Sequence, residues 1–194
     1  MTPFPVNLNL DGRACLVLGA GPELVLRVQN LLDAGARVSV VTEAPGDAVR
    51  GLAQAGRAVL EERPFAEADL EGKWLCVLVG AAPELALDVA AAAERARVLF
   101  CATDGPEKNG FSHMALARAG SLVIAVGTAG VAPALARRLR EELQRLLDEI
   151  DMTTFVERLA ELRRQTPSVD RKKVLGDAVA EVRFTGKLEI PETK

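Results

Sequence analysis

The feature that most limits how this chain can fold is a glycine pair at a strand-to-helix junction. An apolar run, Ala14 to Leu18, is followed by Gly19-Ala20-Gly21-Pro22-Glu23-Leu24, and a helical pattern covers Glu23 to Ala34. A buried strand can give way to a helix within two or three residues only where the backbone may take unusual angles or pass close to a neighbour, which glycine permits. In the dinucleotide fingerprint GxGxxG, the first glycine makes the turn and the second lets the backbone approach a pyrophosphate. The third lets helix and strand pack closely. Gly19 and Gly21 fill the first two places, and Leu24 stands in the third, where its bulk is expected to hold the helix away from the strand. Pro22 suits a first helical position but removes an N–H that would face phosphates. Glu23 suits the helix dipole but competes with a bound anion. The turn therefore speaks more strongly for the fold than for the cofactor.

Further apolar runs recur at Val38 to Val41, Leu75 to Val79 and Val98 to Phe100, with a weaker one at Ala58 to Leu60. Helical patterns at Asp47 to Gln54 and Pro83 to Arg95 separate them, and Phe65 to Leu70 reads as a turn. Short apolar strands alternating with helices imply a parallel sheet covered on both faces, hence an α/β, Rossmann-type domain. The pattern then changes. Ser121 to Val126 reads as one more strand, and helices are expected from about Ala132 to Glu149, over Thr153 to Arg164 and over Val169 to Val182. Leu135, Leu139, Leu143, Leu146 and Leu147 form one apolar stripe on the first of these, which must be buried either within the chain or against a second copy.

With no Tyr and one Trp, the core has to be built from Ala, Val and Leu. A net charge of −3 gives no clustered basic face for nucleic acid. No apolar run reaches the roughly 20 residues of a membrane span, and Met1 to Leu10 lacks the pattern of a secretory signal, so a cytoplasmic protein is expected. Cys15, Cys76 and Cys101 each fall in or at the end of an apolar run with no zinc-like spacing, and are read as reduced and structural. One histidine, His113, offers neither a catalytic triad nor a multi-histidine metal site, and no protein metal ligands are assigned. The second strand runs out at Val41-Thr42-Glu43. Glu43 there is either an acceptor for a ribose hydroxyl or a solvated loop carboxylate.

From Cys101 onward the sequence becomes more specific. Ala102-Thr103-Asp104-Gly105-Pro106, Phe111, Leu122 to Gly130 and Pro133 to Arg140 follow one another in an order and spacing that resembles the precorrin-2 dehydrogenase and sirohydrochlorin ferrochelatase family, including the amino-terminal part of siroheme synthase. Leu10 to Arg13, the glycine turn, Ala34 to Val38 and Trp74-Leu75 extend the likeness over nearly the whole chain. The resemblance implies an NAD-binding domain over residues 1–112, a dimerisation segment over 113–149 that pairs two subunits, and a small helical domain over 150–194, with a tetrapyrrole bound between domains. It implies NAD-dependent oxidation of precorrin-2 to sirohydrochlorin, with insertion of ferrous iron as a possible second activity.

The family's key carboxylate falls on Asp104, and a carboxylate is suitable chemically because both steps take protons from the macrocycle. Gly19, Ala20, Gly21, Pro22, Glu23, Thr42, Glu43 and Gly80 are the expected cofactor contacts, and Phe111, His113 and Arg137 the expected substrate contacts. Arg27, Lys108, Arg118 and Arg140 are further cations suited to the carboxylates of such a substrate. The chain departs from the family pattern at Leu26-Arg27, Gly80-Ala81-Ala82, Cys101 and Ala132. With Pro22, Glu23 and Leu24, these departures leave open a member that has lost NAD and acts only as a chelatase or as a non-catalytic tetrapyrrole-binding protein.

Overall fold

A computed structural model describes residues 3–104 and 108–185; Gly105 and Pro106 of the motif lie outside the described residues. Contacts divide the chain into two compact units, the first reaching to His113 and the second starting at Met114.

The first unit is the expected parallel sheet. Strands β1 (Ala14–Gly19), β2 (Arg37–Val41), β3 (Ala58–Glu61), β4 (Leu75–Val79) and β5 (Leu99–Ala102) lie in the order β3-β2-β1-β4-β5, all parallel. Because β1 is flanked by β2 on one side and β4 on the other, the strand order reverses there, and this opens a crevice beyond the carboxyl ends of β1 and β4. The alternation of side chains sorts the core into two layers. Cys15, Val17, Val40 and Val77 meet Leu24, Val28, Leu31 and Val49 from helices α1 (Pro22–Asp33) and α2 (Asp47–Gln54). Leu16, Leu18, Cys76 and Leu78 meet Val89, Ala92 and Ala93 of α3 (Pro83–Ala96), with Leu70 of a short 3-10 turn, Glu67–Leu70. Both faces are thus covered, which is why the inner strands β1 and β4 read as unbroken apolar runs. Leu24 lies in the layer between α1 and the sheet, 1% exposed.

The second unit departs from the reading of one strand followed by helices. Ala115–Ala119 is a strand, β6, paired antiparallel with β7 (Leu122–Val126) across the Gly120 turn. Helix α4 (Pro133–Glu149) packs on this hairpin, and Leu147 and Leu143 of its apolar stripe join Ala117, Ala119, Leu122, Ile124 and Met152 in a small core. Leu135, at the other end of the stripe, stays 52% exposed. The stripe is therefore partly an intramolecular core. The side chain of Gln144 closes the open edge of β6, with Oε1 accepting from Arg118 N at 2.8 Å and Nε2 donating to Arg118 O at 2.9 Å. Helices α5 (Met152–Gln165) and α6 (Arg171–Val179) follow, and α6 is shorter than the sequence pattern suggests.

Three helices begin the same way. Pro22, Pro83 and Pro133 open α1, α3 and α4 with no side-chain cap, since a fixed φ is already helical and the missing N–H has no intrahelical partner to lose. No helix among the described residues is long and apolar enough to cross a membrane.

Candidate active site

The glycine turn and the end of β4 are locked together by close approach. Gly19 has φ 103, and a Cβ placed on it would lie 1.8 Å from the carbonyl oxygen of Val79. Ala20 N donates to that same oxygen at 3.1 Å. From the other side, Gly80 at φ 59 leaves no room for a Cβ, which would meet Ala20 O at 2.5 Å. Gly21 is different. Its φ of 96 also calls for glycine, but a Cβ there would touch nothing within 4 Å, so the space over the helix terminus is open. Neither Pro22 nor Leu24 fills it: Pro22 is exposed at the first helical position and Leu24 points into the core. Helix geometry leaves the Glu23 N–H without an intrahelical acceptor, so it remains a first-turn donor toward an anion although Pro22 has none. The turn therefore fits a dinucleotide, with one fewer donor than usual.

Asp104 stands at the same edge of the sheet. Its Oδ2 accepts from Gly80 N at 2.9 Å and from its neighbour Thr103 Oγ1 at 3.0 Å, while Thr103 N donates to Leu78 O at 2.9 Å. An exposed carboxylate is thereby fixed next to the glycine turn instead of ranging through solvent. The support beneath it comes from a residue the sequence reading missed. Asn109 Oδ1 accepts from Ala102 N at 2.7 Å, and its Nδ2 donates to Ala102 O at 2.9 Å and to Cys101 Sγ at 3.5 Å. One side chain thus substitutes for a neighbouring strand at the end of β5, as Gln144 does for β6.

On the β2 side, Thr42 is buried and its Oγ1 accepts from Ala44 N at 3.2 Å, which shapes the turn that carries the exposed Glu43. On the β5 side, the His113 ring meets Phe111 edge-on at 5.4 Å between centroids. His113 as a residue is open to solvent, yet the loss of water around its imidazole, with Arg27's positive charge, holds its pKa down to about 4, against a smaller upward pull from Glu23. The ring is neutral near pH 7. Burial pushes the Cys101 thiol up to about 11 despite the nearby Arg27 charge, and raises Cys76 and Cys15 as well. These thiols stay protonated and are not nucleophiles. Gly19, Ala20, Gly21, Pro22, Glu23, Gly80 and Asp104 are brought to one place, whereas Arg137 stands exposed on α4, in the second unit.

Residues 6–115 match the family described as "Putative NAD(P)-binding". Among curated proteins, the siroheme synthase of Gluconobacter oxydans (strain 621H) is 36% identical over 182 residues, which is 90% of this chain and 38% of that protein. The siroheme synthase of Escherichia coli (strain K12 / DH10B) is 35% identical over 147 residues, 76% of this chain and 32% of that protein. The chain therefore spans about a third of the length of the curated relatives it matches. Among solved structures, SirC, precorrin-2 dehydrogenase, superposes with a TM-score of 0.75 at 21% identity, covering 92% of this chain and 90% of that one, so the two share a fold. With more than half of its residues inside that family and siroheme synthases aligned along three-quarters to nine-tenths of its length, this chain belongs to the NAD(P)-binding family and is a homologue of the siroheme synthases.

Proposed function

We propose that the chain binds NAD and oxidises precorrin-2 to sirohydrochlorin in siroheme formation. The observation that carries this reading is the position of Asp104, whose carboxylate is held by the Gly80 N–H beside a glycine turn with open space over Gly21. Two of its neighbours in kind are enzymes of siroheme chemistry by name, a siroheme synthase and a precorrin-2 dehydrogenase.

NAD, when bound, supplies the hydride acceptor. The chain's own groups do the rest. The α1 terminus and the Glu23 N–H hold the pyrophosphate, with Gly21 leaving the backbone bare for close approach and Gly19, Ala20, Pro22 and Gly80 setting the shape of the turn. Thr42 and Glu43 lie at the end of β2, where a ribose hydroxyl is met in such sheets. Oxidation removes a hydride and a proton from the macrocycle, and Asp104 takes the proton as general base. The bonds from Gly80 and Thr103 keep its charged form oriented, which favours a ready acceptor over a roaming one. Phe111 and His113 border the macrocycle, the neutral His113 ring offering one donor and one acceptor, and Arg137 pairs with a substrate carboxylate.

The same proposal includes ferrous iron as a second substrate, because metal insertion also strips protons from the macrocycle and needs the same base. It also takes residues 1–112 as the cofactor domain, 113–149 as the dimerisation segment and 150–194 as the small helical domain, with the exposed Leu135, Val123 and Leu116 supporting a homodimer. Purified protein mixed with precorrin-2, with and without NAD, tests the reading. NAD-dependent growth of sirohydrochlorin absorption is expected, and failure to bind NAD at millimolar levels removes it. Ferrous iron added to sirohydrochlorin tests the chelatase half, and solution mass tests the dimer.

A further inference from the structure

Arg27 carries a charge whose hydrogen bonding is incomplete. It lies on α1 one turn beyond Glu23, and its Nη2 donates to Glu23 Oε2 at 3.0 Å, an i,i+4 pair at the surface. Its side chain is nonetheless only 18% exposed, and its Nε is buried with no hydrogen-bond partner. It is the one buried side-chain nitrogen or oxygen without a partner among the described residues. A surface ion pair contributes little and does not require a guanidinium to be drawn out of water. A buried guanidinium N–H without an acceptor is costly, so one left unpaired calls for a partner that the free chain does not supply.

The surroundings of the side chain narrow the ligand. The Arg27 charge is close enough to be felt at Cys101 at the end of β5 and at His113 beside Phe111. Gly80 and Asp104 border that same β5 side of the crevice. A planar fork of donors, partly engaged by an exposed and displaceable Glu23, suits a planar two-oxygen acceptor. We propose that Arg27 is a receptor for a carboxylate side chain of the tetrapyrrole, and that Glu23 occupies it until the substrate arrives. This rests on the function proposed above.

The test uses the full chain and sirohydrochlorin, titrated by its own absorption, with a separate titration of NAD. Arg27→Gln keeps the length of the stem and removes the charge. Its sirohydrochlorin dissociation constant is expected to rise roughly ten- to a hundredfold, with NAD affinity changed less than about twofold. Arg27→Lys should recover part of the loss, and Glu23→Gln should tighten sirohydrochlorin binding by freeing the fork. The thermal midpoint of Arg27→Gln should not fall, because the residue it replaces is under-bonded. Unchanged sirohydrochlorin affinity in Arg27→Gln overturns the assignment, as does a loss confined to NAD, which would give the charge to the pyrophosphate. If the unsubstituted chain binds no sirohydrochlorin, the proposed function falls and this receptor with it; if it binds and Arg27→Gln binds equally, only the receptor falls.

Discussion

Replacing Gly19 and Gly21 one at a time by alanine separates what the turn does for the fold from what it does for a ligand. In Gly19→Ala the new methyl would sit 1.8 Å from the Val79 oxygen and 2.9 Å from its carbonyl carbon. Carbon and oxygen rest no closer than about 3.3 Å, so β1 and β4 must part by roughly 1.5 Å at this point. That movement breaks the Ala20 N–H bond to Val79 O, strains a φ of 103 and disturbs the packing of both core layers, for a combined cost of about 3–5 kcal/mol. Gly21→Ala meets nothing within 4 Å and pays only for a φ of 96, about 1–2 kcal/mol, yet its methyl projects into the space assigned to the cofactor. Urea unfolding followed by fluorescence of Trp74, the only tryptophan, reports the first unit directly because that residue immediately precedes β4. Gly19→Ala should lower the midpoint severely, and Gly21→Ala modestly while its NAD binding is lost. Equal midpoints for the two variants, or a Gly21→Ala protein that binds NAD normally, would refute the reasoning.

Asn109→Ala removes the bonds that replace a neighbouring strand and leaves the Ala102 N–H buried without an acceptor, so about 2–4 kcal/mol of stability should be lost in the same fluorescence assay. Asp104→Asn keeps an oxygen that can accept from Gly80 and Thr103, so the midpoint should hold while turnover falls roughly a hundredfold or more, measured by sirohydrochlorin absorption. The single imidazole makes a proton NMR titration unambiguous, and His113 should titrate near 4, well below its ordinary 6.5. Since the unfolded chain takes up that proton first, the stability this group contributes is complete above about pH 6.5 and is lost as pH falls through about 4. His113→Gln should flatten that part of the pH profile.

The sheet was legible because inner parallel strands buried on both faces read as continuous apolar runs, and all five strands stand within a residue or two of the runs, the half-exposed edge strand β3 under the weakest of them. The hairpin was half legible. Leu122–Val126 has the composition of a strand, but Ala115–Ala119, with Arg118 exposed on one face and Ala117 and Ala119 buried on the other, is too rich in alanine to declare itself. Its strand conformation is decided by its pairing with β7 and by α4, whose Gln144 side chain reaches it from 26 residues away. Leu24, whose size led to the expectation of a helix held away from the strand, is seated in the layer between α1 and the sheet among Cys and Val side chains. At the candidate site, Gly19 and Gly21 were visible from position alone. Asp104 came from family likeness, and its bond to the Gly80 N–H spans 24 residues that no local pattern connects. Asn109 and the under-bonded Arg27 were invisible as such, since each is defined by where the chain returns.

The most direct measurement is a single-turnover reaction with limiting precorrin-2 and excess NAD, comparing the unsubstituted chain with Asp104→Asn after both have been shown to bind each ligand. One NADH formed per precorrin-2 consumed, and essentially none in the variant, is the expected result. Sirohydrochlorin appearing at the same rate without NAD, or at an undiminished rate in Asp104→Asn, would contradict the assignment of this carboxylate as the base beside a nucleotide site.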